Sequence, residues 1–90
     1  MHQWVNIFKL LGNLNRLRIL KLLTAHRELP VKAISDKLDL TVKLASQYLV
    51  LLSHANLVKG IGKLGSVYYS LHPALSKEIR YILERFVPKG

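Results

Sequence analysis

LTVKLASQYLVLLSHANLVKGIGKLGSVYYSL, residues 40–71, decides the fold. A Thr side-chain oxygen accepts a free backbone N–H in the first turn of a helix, so Thr41 is placed to cap one that runs from Val42 to Ala55. Asn56 stands where helices often end in a left-handed residue. Beyond it, KGIGKLGSVYYSL reads as a β-hairpin: Val67, Tyr69 and Leu71 alternate with Ser66, Tyr68 and Ser70, the period of two that marks a strand. Gly60, Gly62 and Gly65 are expected to form its flexible connection, with Lys59 and Lys63 near the tip.

Upstream of this unit, Val31 to Leu38 predicts a short helix with Ile34 and Leu38 inward, and Asp39 and Leu40 turn the chain into Thr41. Two helices joined by a turn of about three residues match a helix-turn-helix. Leu29-Pro30-Val31 suits a short edge strand, where Pro is tolerated. Earlier still, residues 3–11 place Trp4, Ile7, Phe8 and Leu11 at helical spacing. Gly12 ends that helix and Asn13 caps the next, Leu14 to Thr24, which keeps Leu17, Ile19, Leu20 and Leu23 inward and Arg16, Arg18 and Lys21 outward.

Downstream, Pro73 suits the first turn of a closing helix whose one face carries Leu75, Ile79, Ile82, Leu83 and Phe86, ended by Pro88 and Gly90. The order is H-H-(E)-H-H-E-E-H, mainly α with a small β-hairpin: a winged helix-turn-helix, in one domain spanning residues 1–90.

Ninety residues give a single core that is only marginally sufficient, yet half of the residues are hydrophobic. The surplus predicts an association surface. Fourteen Lys and Arg against 5 acids give a net charge of +9, a field that attracts polyanions such as nucleic acid. With no Cys, thiolate metal sites, disulfides and thiol redox chemistry are excluded. His2, His26, His54 and His72 are scattered without ligand spacing, so neither a metal nor a cofactor is expected. No nucleophile–base constellation suggests an enzyme. No apolar run approaches the roughly 18–20 residues needed to cross a bilayer, so no membrane role is expected and the chain reads as cytoplasmic.

A basic hairpin following a helix with small polar side chains fits double-stranded DNA. Lys43, Ser46 and Gln47 share one helix face, with Val50 continuing it. Ser and Lys bind phosphate oxygens, Gln reads adenine and Lys reads guanine in the major groove. Thr41 joins them at the helix start, and Lys59, Lys63 and Ser66 are expected on the DNA backbone or minor groove. Tyr48 has two readings, a ring against the wing with its hydroxyl on a phosphate, or core packing. Leu44 and Val50 leave the helix apolar nearly all round: Val50 or Leu44 meets a thymine methyl, or a protein partner covers the face. Lys32 and Lys37 are further phosphate candidates, whereas Arg16 and Arg18 read as structural, pairing with acids or helix ends.

Three segments, LGNLNRLRILKLL at 11–23, ISDKLDLTVKLASQYLVLLSHANLV at 34–58 and GKLGSVYYSL at 62–71, resemble the ArsR/SmtB-like family of small winged-helix repressors. The resemblance implies a homodimer joined through the first and last helices, here Trp4, Ile7, Phe8 and Leu11 with Ile79, Ile82, Leu83 and Phe86. Two recognition helices would then meet a pseudo-palindromic operator. Many members sense metal through a Cys pair before the recognition helix, but here that region reads LPVKAISDKL. Others use Asp/His and His/Glu pairs, whereas the last helix here offers Glu78 and Glu84 with no His after His72. Metal sensing is therefore not carried over. The reading is a sequence-specific DNA-binding repressor; a module docking a protein through its apolar helix faces is the alternative.

Overall fold

The computed structural model describes residues 2–86; the side chains of Trp4 and Phe86, and Pro88 and Gly90 altogether, lie outside what is described. The elements are α1 (His2–Leu11), α2 (Leu14–Ala25), β1 (Leu29–Pro30), α3 (Val31–Leu38), α4 (Val42–His54), β2 (Val58–Lys63), β3 (Ser66–Leu71) and α5 (Lys77–Phe86). They follow the expected order, a mainly helical winged helix-turn-helix with a small antiparallel sheet. Strand β3 is central, flanked by β1 and β2, so the two residues of β1 tie the hairpin to the helical body.

Local chemistry sets the boundaries. Asn13 Oδ1 accepts from the Arg16 N–H at 3.2 Å, and Thr41 Oγ1 accepts from the Leu44 N–H at 3.0 Å, so both expected caps form. Helices α3 and α4 end alike. Asp39 (φ 56°) and Asn56 (φ 59°) are left-handed, and the following N–H groups, of Leu40 and Leu57, donate back to Ser35 O and Leu52 O. This double closure satisfies carbonyls that the helix end leaves free.

Helix α2 runs one residue further than expected, to Ala25, while α4 and β1 each stop one residue sooner, at His54 and Pro30; two boundaries differ by more. The closing helix starts at Lys77 and not at Pro73, because Ser76 Oγ accepts from the Ile79 N–H at 3.2 Å and caps it there. Pro73 and Ala74 instead belong to a turn in which the Ala74 N–H donates to His72 Nδ1. In the hairpin, Gly60 and Gly62 lie inside β2, paired with Tyr69 and Val67. Leu64 and Gly65 alone make the turn, so Lys63 is at the tip while Lys59 sits near the base opposite Ser70.

The core gathers Ile19, Leu20 and Leu23 of α2 with Ile34 and Leu38 of α3, Leu49 and Leu52 of α4, and Leu57 and Val58 at the start of β2. Ile7 and Leu10 of α1, and Ile79 and Leu83 of α5, pack into the same cluster. Helix α2 also holds the helix ends together. Lys21 Nζ donates to Glu84 O at 3.0 Å, and Arg18 donates to Leu38 O at 3.0 Å. Arg16 donates weakly to Lys9 O at 3.4 Å. Cations near helix C-termini satisfy free carbonyls and oppose the helix dipole. Among the described residues no helix is long and apolar enough to cross a membrane.

Candidate nucleic-acid interface

Helix α4 buries Ala45, Leu49 and Leu52, one stripe at helical spacing. Lys43, Gln47, Val50 and His54 recur at the same spacing on the opposite side, and all four are exposed. This is the outermost ridge of the helix-turn-helix. Ser46 is half-buried at its edge, and Thr41 is exposed at its start with its hydroxyl oxygen occupied by the cap bond. Leu44 is half-buried and belongs to the flank, so the doubtful apolar position on the ridge is Val50 alone, at 44% exposure. His54 completes the ridge. The sequence reading omitted it, although its spacing from Gln47 and Val50 was the available signal.

Tyr48 takes the core-packing alternative: it is half-buried against the hydrophobic cluster, with the Arg16 guanidinium 5.9 Å from the ring centre. A cation held over an aromatic face is favourable. The wing residues do not behave alike. Lys59 and Ser66 are exposed. Lys63 forms an ion pair with Glu28, in the connection before β1, and its ammonium lies 4.8 Å from the Tyr68 ring centre. Lys32 pairs with Asp36 one turn on, while Lys37 is exposed.

The fold brings Lys43, Ser46 and Gln47 of α4 together with its cap Thr41 and sets Lys59, Lys63 and Ser66 on the hairpin that packs beside the helix. Charge reinforces the grouping, since no acidic residue occurs between Asp39 and Glu78. Helix, wing and their connection therefore carry no acid of their own, and the carboxylate that the described ion pairs bring to the wing is that of Glu28 on Lys63.

The residues allotted to association divide. Ile7, Ile79 and Leu83 turn into the protomer's own core and Leu11 is half-buried against it, because α2 already covers that side of both helices. Among the described residues, the large apolar side chains that α1 and α5 leave exposed are Val5 and Phe8 with Tyr81 and Ile82.

Solved structures of similar shape place this arrangement among known proteins. HlyU from Vibrio cholerae N16961 is 31% identical, with 92% of this chain and 86% of that chain aligned at a TM-score of 0.79. The transcriptional regulator HlyU from Vibrio vulnificus CMCP6 is 32% identical over 91% of this chain and 81% of that one, at 0.75. A homodimeric winged helix-turn-helix DNA-binding domain from Mycobacterium bovis, from a possible ArsR-family transcriptional regulator, is 27% identical over 91% and 72%, at 0.78. A scan of protein-family models and a search of curated proteins found no match. The similar structures include transcriptional regulators and none of those named is an enzyme.

Proposed function

Because the chain belongs to the ArsR/SmtB-like family of winged helix-turn-helix regulators, we propose that it binds double-stranded DNA sequence-specifically as a homodimeric transcriptional repressor of the cytoplasm, without metal. One observation carries this reading: the ridge of Lys43, Gln47, Val50 and His54 stands opposite the buried stripe of α4, beside a hairpin with no acidic residue. A ridge of this kind fits the major groove, where the Gln47 amide matches the adenine edge, Lys43 matches guanine or a phosphate, and Val50 suits a thymine methyl. Thr41, Ser46, Lys59, Lys63 and Ser66 lie around it and suit backbone contacts, which set register and not sequence preference.

Residues 1–90 act as one domain, and a second copy covers Val5, Phe8, Tyr81 and Ile82. Symmetric pairing through α1 and α5 sets two α4 ridges on successive major grooves, about 34 Å apart, so the operator is pseudo-palindromic. Repression follows by occupying the site that polymerase needs. The metal-free reading rests on the absence of Cys and on the missing His of the last helix.

Selection of bound duplexes from a random-sequence library, followed by gel-shift titration with nonspecific competitor, tests the proposal. Gln47→Ala should weaken binding to the selected duplex by about tenfold and reduce discrimination at one base pair, since a good base contact is worth roughly 1–3 kcal/mol. Lys59→Ala should weaken selected and random duplexes alike and lower the salt slope by about 1. Equal effects of both variants on both duplexes would refute the assignment. The exposure of Val42, Val50 and Leu51 on α4 favours a second reading, a protein-docking module. Failure to enrich any duplex would favour it.

A further inference from the structure

Among the described residues, three other than glycine have positive φ: Asp39, Asn56 and Leu64. Asp and Asn accept the left-handed region, and the first two close helices there. Leu does not, yet Leu64 (φ 54°) and Gly65 (φ 76°) form the two-residue wing turn, whose positive φ at both centres normally selects Asn-Gly or Gly-Gly. Leu64 is also 92% exposed. The turn thus carries a side chain poor for its backbone and wholly unused within the protomer. Such a departure from local preference points to a role outside the chain.

The hairpin below the tip is shaped for insertion. Ile61, Lys63, Ser66 and Tyr68 occupy one face and Val67 and Tyr69 the other, because side chains alternate along each strand. The exposed Ile61 and Val67 are therefore on opposite faces, and Leu64 does not extend either into one apolar patch. Gly62 faces Val67, and a Cβ there would meet nothing within 4 Å, so the protomer itself does not demand a glycine. Its missing side chain keeps the stem slim immediately beneath the tip. The register runs unbroken through Gly62, so this glycine marks no bulge, and its open side suits the close approach of another surface.

We propose that Leu64 is an apolar wedge that enters the minor groove of bound DNA and partly unstacks one base step. The inference rests on the DNA-binding reading above and adds a means of recognition that involves no base-edge hydrogen bond. Lys63, the preceding residue, reaches the flanking phosphates while Leu64 lies against sugars and base edges. Leu is among the side chains that separate base steps from the minor groove. Pyrimidine–purine steps, the most easily unstacked, would be preferred under the wing although no polar group reads them.

The test uses the full chain and a duplex selected by it from a random library, carrying 2-aminopurine at its pyrimidine–purine steps. Wild type should raise the fluorescence of one step on each side of the centre. Leu64→Asn, which suits the left-handed turn, should melt no lower than wild type. It should weaken binding by about ten- to hundredfold, as expected for a Leu side chain that loses its burial. It should also abolish the fluorescence rise, while the salt slope stays the same because no phosphate contact is removed. Leu64→Met should keep both affinity and signal. An Asn variant that binds and brightens like wild type overturns the wedge and leaves the DNA-binding reading intact. If wild type enriches no duplex, the DNA-binding reading fails and the wedge falls with it.

Discussion

Lys63 shows how a single contact conditions a cation's use. In sequence it is a wing Lys among glycines; in the fold it meets Glu28, a residue 35 positions earlier, through an ion pair at the surface. The sequence holds no sign of such a pairing, since it depends on β1 bringing the loop that precedes it alongside β3. Exposed pairs contribute about 0–1 kcal/mol to stability, so Glu28→Gln should alter the melting temperature little. Its effect on DNA should be larger, because a phosphate approaching Lys63 must compete with the carboxylate. Glu28→Gln is expected to tighten random duplexes several-fold and to steepen the salt slope by up to about 1, leaving base preference unchanged. Fluorescence anisotropy across a salt series measures this, and unchanged or weaker binding would show that Glu28 does not restrain Lys63. Tyr48 teaches the complementary lesson. Its place on the α4 wheel allows the core or the wing, and only its packing against the hydrophobic cluster, which includes residues far from it in sequence, decides for the core.

At the level of elements, legibility follows the range of the interactions. The caps Asn13 and Thr41 and the terminator Asn56 act within a few residues, so sequence alone located them. The start of α5 is not legible in the same way, because two signals compete over a short stretch. Pro73 suits a first helical turn, but the His72 ring and carbonyl bind Ala74 and Leu75, leaving Ser76 to cap the helix. In the wing, glycine content suggests a longer turn than strand register allows: Gly60 sits in the strand, where a Cβ would come within 2.8 Å of the Tyr69 ring. Among the caps, Thr41 matters most for the candidate site, since it fixes where α4 begins and hence which residues crown the ridge. Thr41→Ala should cost about 1 kcal/mol, read as a lower urea midpoint with unchanged slope, and Thr41→Ser should restore it. Should the Ala variant unfold at the wild-type midpoint, the cap bond would have no part in holding the helix.

For the whole molecule, the apolar surplus was visible in composition but its allocation was not. Helical periodicity assigns Ile7, Phe8, Ile79, Ile82 and Leu83 to apolar stripes, yet it is silent on whether the protomer's own α2 or a second copy lies against each. Packing assigns Ile7, Ile79 and Leu83 to the core and leaves Phe8 at 63% and Ile82 at 41% exposure, with Val5 and Tyr81 beside them. A charge placed at an exposed site costs the protomer's fold little, but in a symmetric interface each substitution occurs twice and meets apolar surface. The double variant Phe8→Lys with Ile82→Lys should therefore keep the wild-type circular dichroism spectrum. By light scattering it should show the 10.3 kDa of one chain where wild type shows about twice that mass. On the selected duplex it should lose the gain from linked half-sites, about 10²–10⁴-fold, and bind one half-site as the wild-type protomer does. Wild-type protein that remains at 10.3 kDa at concentrations where it binds the duplex would exclude the α1–α5 dimer. The palindromic operator would then lose its geometric basis, because a lone protomer presents one α4 ridge and needs one half-site.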